Sequence, residues 1–116
     1  MSITADLLRG HTEGIILSHL SRKNSYGYEI NKAILEATNG RYELKEATLY
    51  SAFRRMEKAE LIHSFWGDGD TGARRRYYSI TELGRQVLAQ HIVDWKEAKE
   101  LIDKLVLPAD HTERKE

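Results

Sequence analysis

The sequence predicts a mainly α fold with one small β-hairpin and a long C-terminal helix. Three observations carry that expectation. Leu49, Ala52, Phe53 and Met56 recur at three- and four-residue spacing, so they line one face of a helix. Two short runs, Leu61-Ile62 with Phe65-Trp66 and Arg76-Tyr77-Tyr78-Ser79-Ile80, read as strands, and Gly67, Gly69 and Gly72 between them permit a tight reversal. From Thr81 to about Val106 a helical pattern continues without a breaker. A helix followed at once by a β-ribbon is the plan of a winged helix-turn-helix. Residues 1–80 are expected to form that unit with its N-terminal helix, 81–107 the long helix and 108–116 a polar tail, all in one compact domain.

Each element has its own local reason. Leu7, Leu8, Ile15, Ile16, Leu17 and Leu20 predict a first helix from about Ala5 to Leu20, in which Gly10 and Gly14 each lower the propensity by roughly 1 kcal/mol. Small residues there suit close approach of a neighbouring helix or a ligand. Ser21 to Ser25 is a polar turn. Tyr28, Ile30, Ile34 and Leu35 predict a second helix from about Tyr26 to Thr38, stopped by Asn39-Gly40. Tyr42 and Leu44 bracket an extended piece before the third helix, whose other face carries Thr48, Ser51, Arg54, Arg55 and Lys58. Thr81 is placed to cap the last helix, and Pro108 to end it.

Along that last helix His91, Trp95, Ala98, Ile102 and Leu105 recur by four, three, four and three residues. This is a 3.5-residue seam, the spacing of a helix that packs on another long helix. Leu88, Ile92, Leu101 and Val106 widen the stripe. The first three helices already pair with one another, so the expected partner is a second chain, in a C2 homodimer.

Composition bounds the function. At 116 residues and 41% hydrophobic the chain can bury one modest core. It has no cysteine, which excludes disulfides and thiolate metal sites. No apolar run approaches the roughly 20 residues a membrane span needs, and the start MSITADLLRGHTEG lacks a signal pattern. A soluble, cytoplasmic protein is expected. Lys plus Arg and Asp plus Glu each number 18, so the net charge is +0. The positives nevertheless cluster, as Arg54, Arg55 and Lys58 and as Arg74-Arg75-Arg76, and phosphate binding responds to the local field.

On this pattern Thr48, Ser51 and Arg55 are expected at or near base edges of double-stranded DNA, with Lys45, Arg54, Arg74 and Arg75 on phosphates. Tyr50 has two readings, packing under its helix or bonding a phosphate. The arginine cluster has an alternative role as an edge-strand charge that discourages sheet pairing. A two-fold dimer implies an inverted-repeat operator, with half-sites roughly 34–36 Å or a multiple apart.

Other chemistries fit poorly. Asp68-Gly69-Asp70 starts like a calcium loop, but Gly72, Ala73 and Ser79 stand where ligands and the turn glycine are required. The five histidines, His11, His19, His63, His91 and His111, form no helical pair with a carboxylate at ligand spacing, so neither metal nor cofactor is expected. There is no phosphate loop, nucleophile elbow or catalytic His/Glu pair, so the chain does not read as an enzyme. A winged-helix dimer that binds protein, and a DNA binder without an effector pocket, remain alternatives.

The chain also resembles the PadR-like transcriptional regulators, in particular a small multidrug-sensing subfamily. The matching residues are Tyr26-Gly27-Tyr28-Glu29-Ile30, Leu44-Lys45-Glu46-Ala47-Thr48-Leu49-Tyr50, Arg54-Arg55-Met56-Glu57, Trp66-Gly67-Asp68, Arg74-Arg75-Arg76-Tyr77-Tyr78 and Thr81-Glu82-Leu83-Gly84. The likeness runs from about Leu7 to Leu105. It implies a homodimer held through the C-terminal helix that represses transcription from an operator. It further implies that Trp95 lies at the dimer centre and stacks on planar aromatic compounds, with Leu7, Gly14, Ser18, Ile92 and Lys99 around it. Lys99 favours neutral or anionic aromatics over cationic drugs. Trp95 as an interface residue alone is the competing reading.

Overall fold

The computed structural model describes residues 3–68 and 74–109. In order they form α1 (Ile3–Arg9), α2 (Thr12–Leu20), α3 (Gly27–Ala37), α4 (Glu46–Lys58), β1 (Ile62–Asp68), β2 (Arg74–Ile80) and α5 (Glu82–Val106). The fold class is the one expected from the sequence, mainly helical with a two-stranded antiparallel hairpin and a long last helix.

The expected single first helix is instead two. His11 N bonds the Leu8 carbonyl at 2.9 Å and Thr12 Oγ1 donates to the Arg9 carbonyl at 3.0 Å, which closes a turn at Gly10-His11. Gly10 is exposed with nothing packed around it, so no contact offsets its low helix propensity.

Local signals position the next elements. Asn39 (φ 54°) and Gly40 (φ 79°) take left-handed conformations, and Gly40 N bonds the Leu35 carbonyl at 2.7 Å, ending α3. Asn31 then grips the extended piece, donating to the Leu44 carbonyl and accepting from Leu44 N, both at 2.8 Å. Leu44 is thereby seated in the core beside Leu49, Ala52, Phe53 and Met56 of α4. Ile16, Leu17 and Leu20 of α2, Ile30 and Ile34 of α3, Leu61, Ile62 of β1 and Tyr78 of β2 complete it. Phe53 and Tyr78 stack with centroids 3.9 Å apart and planes 17° from parallel.

The hairpin pairs from Ile62↔Ile80 to Asp68↔Arg74. Gly67 lies within β1 opposite Arg75, not in a reversal; a Cβ there would come within 2.8 Å of the Tyr77 ring. Gly69 and Gly72, the Asp70 of the rejected calcium loop and the tail from residue 110 lie outside the described residues. Ser25, expected only in a turn, forms an antiparallel bridge to Tyr78 and so adds a third strand position to the hairpin.

Thr81 caps α5, its Oγ1 accepting from Gly84 N at 2.9 Å. Gly84 packs so closely on β1's start that a Cβ would run into the Leu61 carbonyl. It is the only buried residue of α5. Leu107 is extended (ψ 143°) before Pro108, as the proline requires. The molecule measures 66 × 30 × 22 Å along its principal axes.

Candidate nucleic-acid interface

The core stripe of α4 dictates what its opposite face presents. With Leu49, Ala52, Phe53 and Met56 buried, Thr48, Arg54 and Lys58 stand exposed and Ser51 is half-buried. Lys45 is exposed just before the first turn. Lys45, Arg54 and Lys58 form no ion pair with any described residue. Arg55 differs from them. Its Nε lies 3.1 Å from Glu13 Oε2 on α2, and its Nη1 donates to Ser51 Oγ at 3.1 Å. The residue expected at a base edge is thus folded back along the side of α4. The ring of Tyr50 packs edge-on against Phe53, with its hydroxyl at Gly27, while 38% of the residue stays exposed.

Strand alternation divides the three arginines between two faces. Arg74 lies over Trp66 at 5.1 Å, and Arg76 lies at 5.9 Å from the same ring. Arg76 also reaches Glu57 of α4 at 3.5 Å, and Ser64 donates to that carboxylate at 2.7 Å. Glu57 therefore ties the hairpin to α4. Arg75 points to the other face, where its Nη1 donates to the Tyr26 hydroxyl at 3.1 Å and its guanidinium lies 4.6 Å from the Tyr26 ring centroid. Trp66, 54% exposed between two arginines, was not among the expected contact residues. Its signal was the cross-strand register, in which Trp66 faces Arg76.

Leu8 of α1, His11 and residues of α2, α3 and α5 line an open cavity of about 440 Å³. Gly14, Ser18, Ile92 and Trp95, all expected at a ligand site, line it. Two others do not. Leu7 is 72% exposed on α1 and its neighbour Leu8 takes the wall, while Lys99 pairs with Asp103 at 3.2 Å farther along α5. Gly14 is occupied from within the chain, because the His91 imidazole fills the space of its missing side chain. His91 Nε2 hydrogen-bonds His11 Nδ1 at 3.1 Å, and the His11 ring meets Trp95 edge-on at 5.1 Å. Among the described residues no carboxylate lines the cavity, whereas His11, His19, His91 and Arg22 do. Burial lowers the His19 pKa below its ordinary 6.5, Arg22 and Lys23 add to the shift, and Glu29 opposes it.

Residues 16–90, from the middle of α2 into α5, match the Transcriptional regulator PadR-like family. The chain belongs to that family. It is similar to a transcriptional regulator from Clostridium thermocellum, with 44% identity over 87% of this chain and 98% of that one and a TM-score of 0.80. A PadR family transcription regulator from Clostridium difficile is 33% identical over 83% of this chain and 98% of its own, with a TM-score of 0.71. A protein of Lysinibacillus sphaericus described only as "Uncharacterized protein X" is 45% identical over 87% of this chain and 93% of that protein.

Membership of the PadR-like family makes this chain a DNA-binding transcriptional regulator and not an enzyme. Its matched segment contains the whole α4 face and hairpin. The rest of α5 presents the seam. His91 and Ala98 are half-buried and Trp95, Ile102 and Leu105 are exposed; His91 and Trp95 meet His11, while Ile102 and Leu105 stand beyond those contacts. No helix is long and apolar enough to cross a membrane, and no group of three or more metal-ligating side chains is gathered, among the described residues.

Proposed function

We propose that this PadR-like regulator is a homodimeric repressor that binds an inverted-repeat operator and responds to a planar aromatic compound. The observation that carries the reading is the set of cations on and just before α4, Lys45, Arg54 and Lys58, which pair with no described residue, beside a hairpin that presents Arg74 and Arg75. Unpaired cations on one surface release counterions from DNA, and release drives affinity. Thr48 and Ser51 stand among them, where hydroxyls can reach base edges. Arg55 joins them only by leaving Glu13. The uncovered seam of α5, from Trp95 through Ala98 and Ile102 to Leu105, supports pairing with a second chain.

The effector reading rests on the cavity's chemistry. Trp95 and Ile92 supply flat apolar wall, and the titratable lining consists of histidines and Arg22 without an acid. That lining suits neutral or anionic planar aromatics rather than cations. The deciding experiment is to sequence the fragments of genomic DNA the protein retains and to measure their affinity against salt. An inverted repeat and a steep negative slope support the reading. Retention without a common sequence, or affinity insensitive to salt, would instead favour a protein-binding module.

A further inference from the structure

The dipeptide Ser25-Tyr26 is where the hairpin meets the helices. Ser25 N bonds the Tyr78 carbonyl at 3.2 Å, and Tyr78 N bonds the Ser25 carbonyl at 2.8 Å. Tyr78 is the ring stacked on Phe53 of α4, and Tyr26 is the group that holds Arg75. Whatever orients this dipeptide therefore orients both β2 and one arginine of the hairpin.

Ser25 is 0% exposed, and its hydroxyl lies 2.7 Å from His19 Nε2. A hydroxyl this deeply buried must keep a partner, or the segment that carries it becomes the cheapest part of the structure to displace. On its other side Ser25 also acts on Glu29. Burial alone would raise that carboxyl, yet hydrogen bonds from Lys23 and Ser25 outweigh it and hold it below its usual range. His19 itself stands on α2 with one edge in the cavity, beside Ser18 and Arg22. The imidazole thus touches the cavity on one side and the hairpin's anchor on the other.

We infer that His19 is the positioning residue through which the cavity governs the hairpin, by the hydrogen bond it shares with Ser25. A hydrogen-bond acceptor on a cavity ligand, such as a carboxylate or phenolate oxygen, competes with Ser25 for the same imidazole. When the ring turns to that acceptor, the buried hydroxyl keeps only Glu29 of its two partners, the Ser25–Tyr78 bridge loosens, and Arg75 moves with Tyr26. The inference rests on the reading of the hairpin arginines as phosphate contacts, and the test separates the two.

Affinity for random-sequence duplex DNA is measured against salt concentration for the full chain and four variants. The Arg74→Ala/Arg75→Ala double variant checks the underlying reading and is expected to flatten the slope by about one unit per lost contact. His19→Leu and Ser25→Ala are each expected to flatten it by about one unit, the share of Arg75. His19→Gln, whose amide N–H occupies the place of Nε2, is expected to restore the wild-type slope, which a purely structural loss would not do. Wild-type slopes in folded Ser25→Ala and His19→Leu, with a flattened slope in the arginine variant, would overturn the role of His19. A slope lost equally in His19→Gln would overturn the hydrogen bond as its basis. An unchanged slope in the arginine variant would remove the phosphate reading, and this inference with it.

Discussion

The Cβ position of Gly14 lies 2.6 Å from both Cδ2 and Nε2 of His91, so α2 and α5 are joined by an imidazole seated in a glycine notch. The ring is pinned there by His11, at 3.1 Å. By propensity alone Gly14→Ala would stabilise α2 by about 1 kcal/mol. Because the added methyl must displace a held ring, we expect a net loss of about 1–2 kcal/mol instead. In a double-mutant cycle with His91→Ala the loss should turn into the helix-propensity gain. Thermal unfolding of the four proteins measures it, and strictly additive effects would dissociate the two residues.

Arg55 spends the unbound state on Glu13, at 3.1 Å and with both side chains largely exposed. An exposed pair of this kind is worth about 0.2–1 kcal/mol. If Arg55 joins the DNA surface it must break that pair, so Glu13→Gln is expected to raise operator affinity by up to about fivefold. Arg55→Ala should abolish the gain. No gain in Glu13→Gln would leave Arg55 a structural residue of the α2–α4 contact.

Ile102 is 52% exposed in the single chain, so an aspartate there costs the isolated fold little. In a seam between two copies of α5 the same aspartate is buried unpaired, at about 3–5 kcal/mol. Ile102→Asp is therefore expected to sediment as a monomer at micromolar concentration with its helical content intact, while the wild type sediments as a dimer. A monomeric wild type would dispose of the proposed dimer.

Trp95 is 43% exposed and stands at the cavity's edge. Titration of planar dyes of both charges, followed by anisotropy, is expected to show tighter binding of the anionic dye. Trp95→Ala should weaken it about tenfold or more, the effect of losing roughly 1.5 kcal/mol of stacking. Equal affinity in wild type and variant would leave Trp95 an interface residue only.

Acidification should destabilise the fold in two stages. His19 has its folded pKa lowered beneath 6.5, first by burial, so the unfolded chain takes up the proton earlier as pH falls. Its contribution is complete above pH 6.5 and is lost as pH drops from there toward the folded value. Glu29, also lowered, contributes above its ordinary 4.5 and ceases to do so as pH falls through its folded value. Midpoints of thermal unfolding against pH should show both stages, and His19→Gln should erase the upper one. A variant profile matching the wild type below pH 6.5 would assign that stage elsewhere.

What was legible in the sequence was local. The apolar stripe of α4, the Asn39-Gly40 stop, the Thr81 cap and the Pro108 limit each depend on neighbours within a turn or two, and each stands where expected. The break at Gly10 was not legible, because helix propensity alone does not say whether packing will offset it. The site residues divide in the same way. Thr48, Arg54 and Lys58 follow from period, whereas the seating of Arg55 on Glu13 and of His91 on Gly14 depends on helices far apart in the chain. Leu7 and Lys99 do not line the groove of the single chain, because a helical face predicts direction but not depth. Ser25 gave no signal at all, since its bridge to Tyr78 joins a polar turn to a distant strand.

The shape of α5 has a mechanical consequence. Its 25 residues are held to the body by Gly84 at the base and by His91 and Trp95 on His11 near the middle, and the turns beyond Trp95 project from it. At 1.5 Å of rise per residue, a tilt of about 10° at His91 carries Val106 sideways by about 4 Å. In a symmetric pair the two bodies swing in opposite senses, so the gap between their α4 helices changes by more than one arm's share. In the proposed dimer such a tilt would shift the recognition helices by more than the 3.4 Å separating successive base pairs.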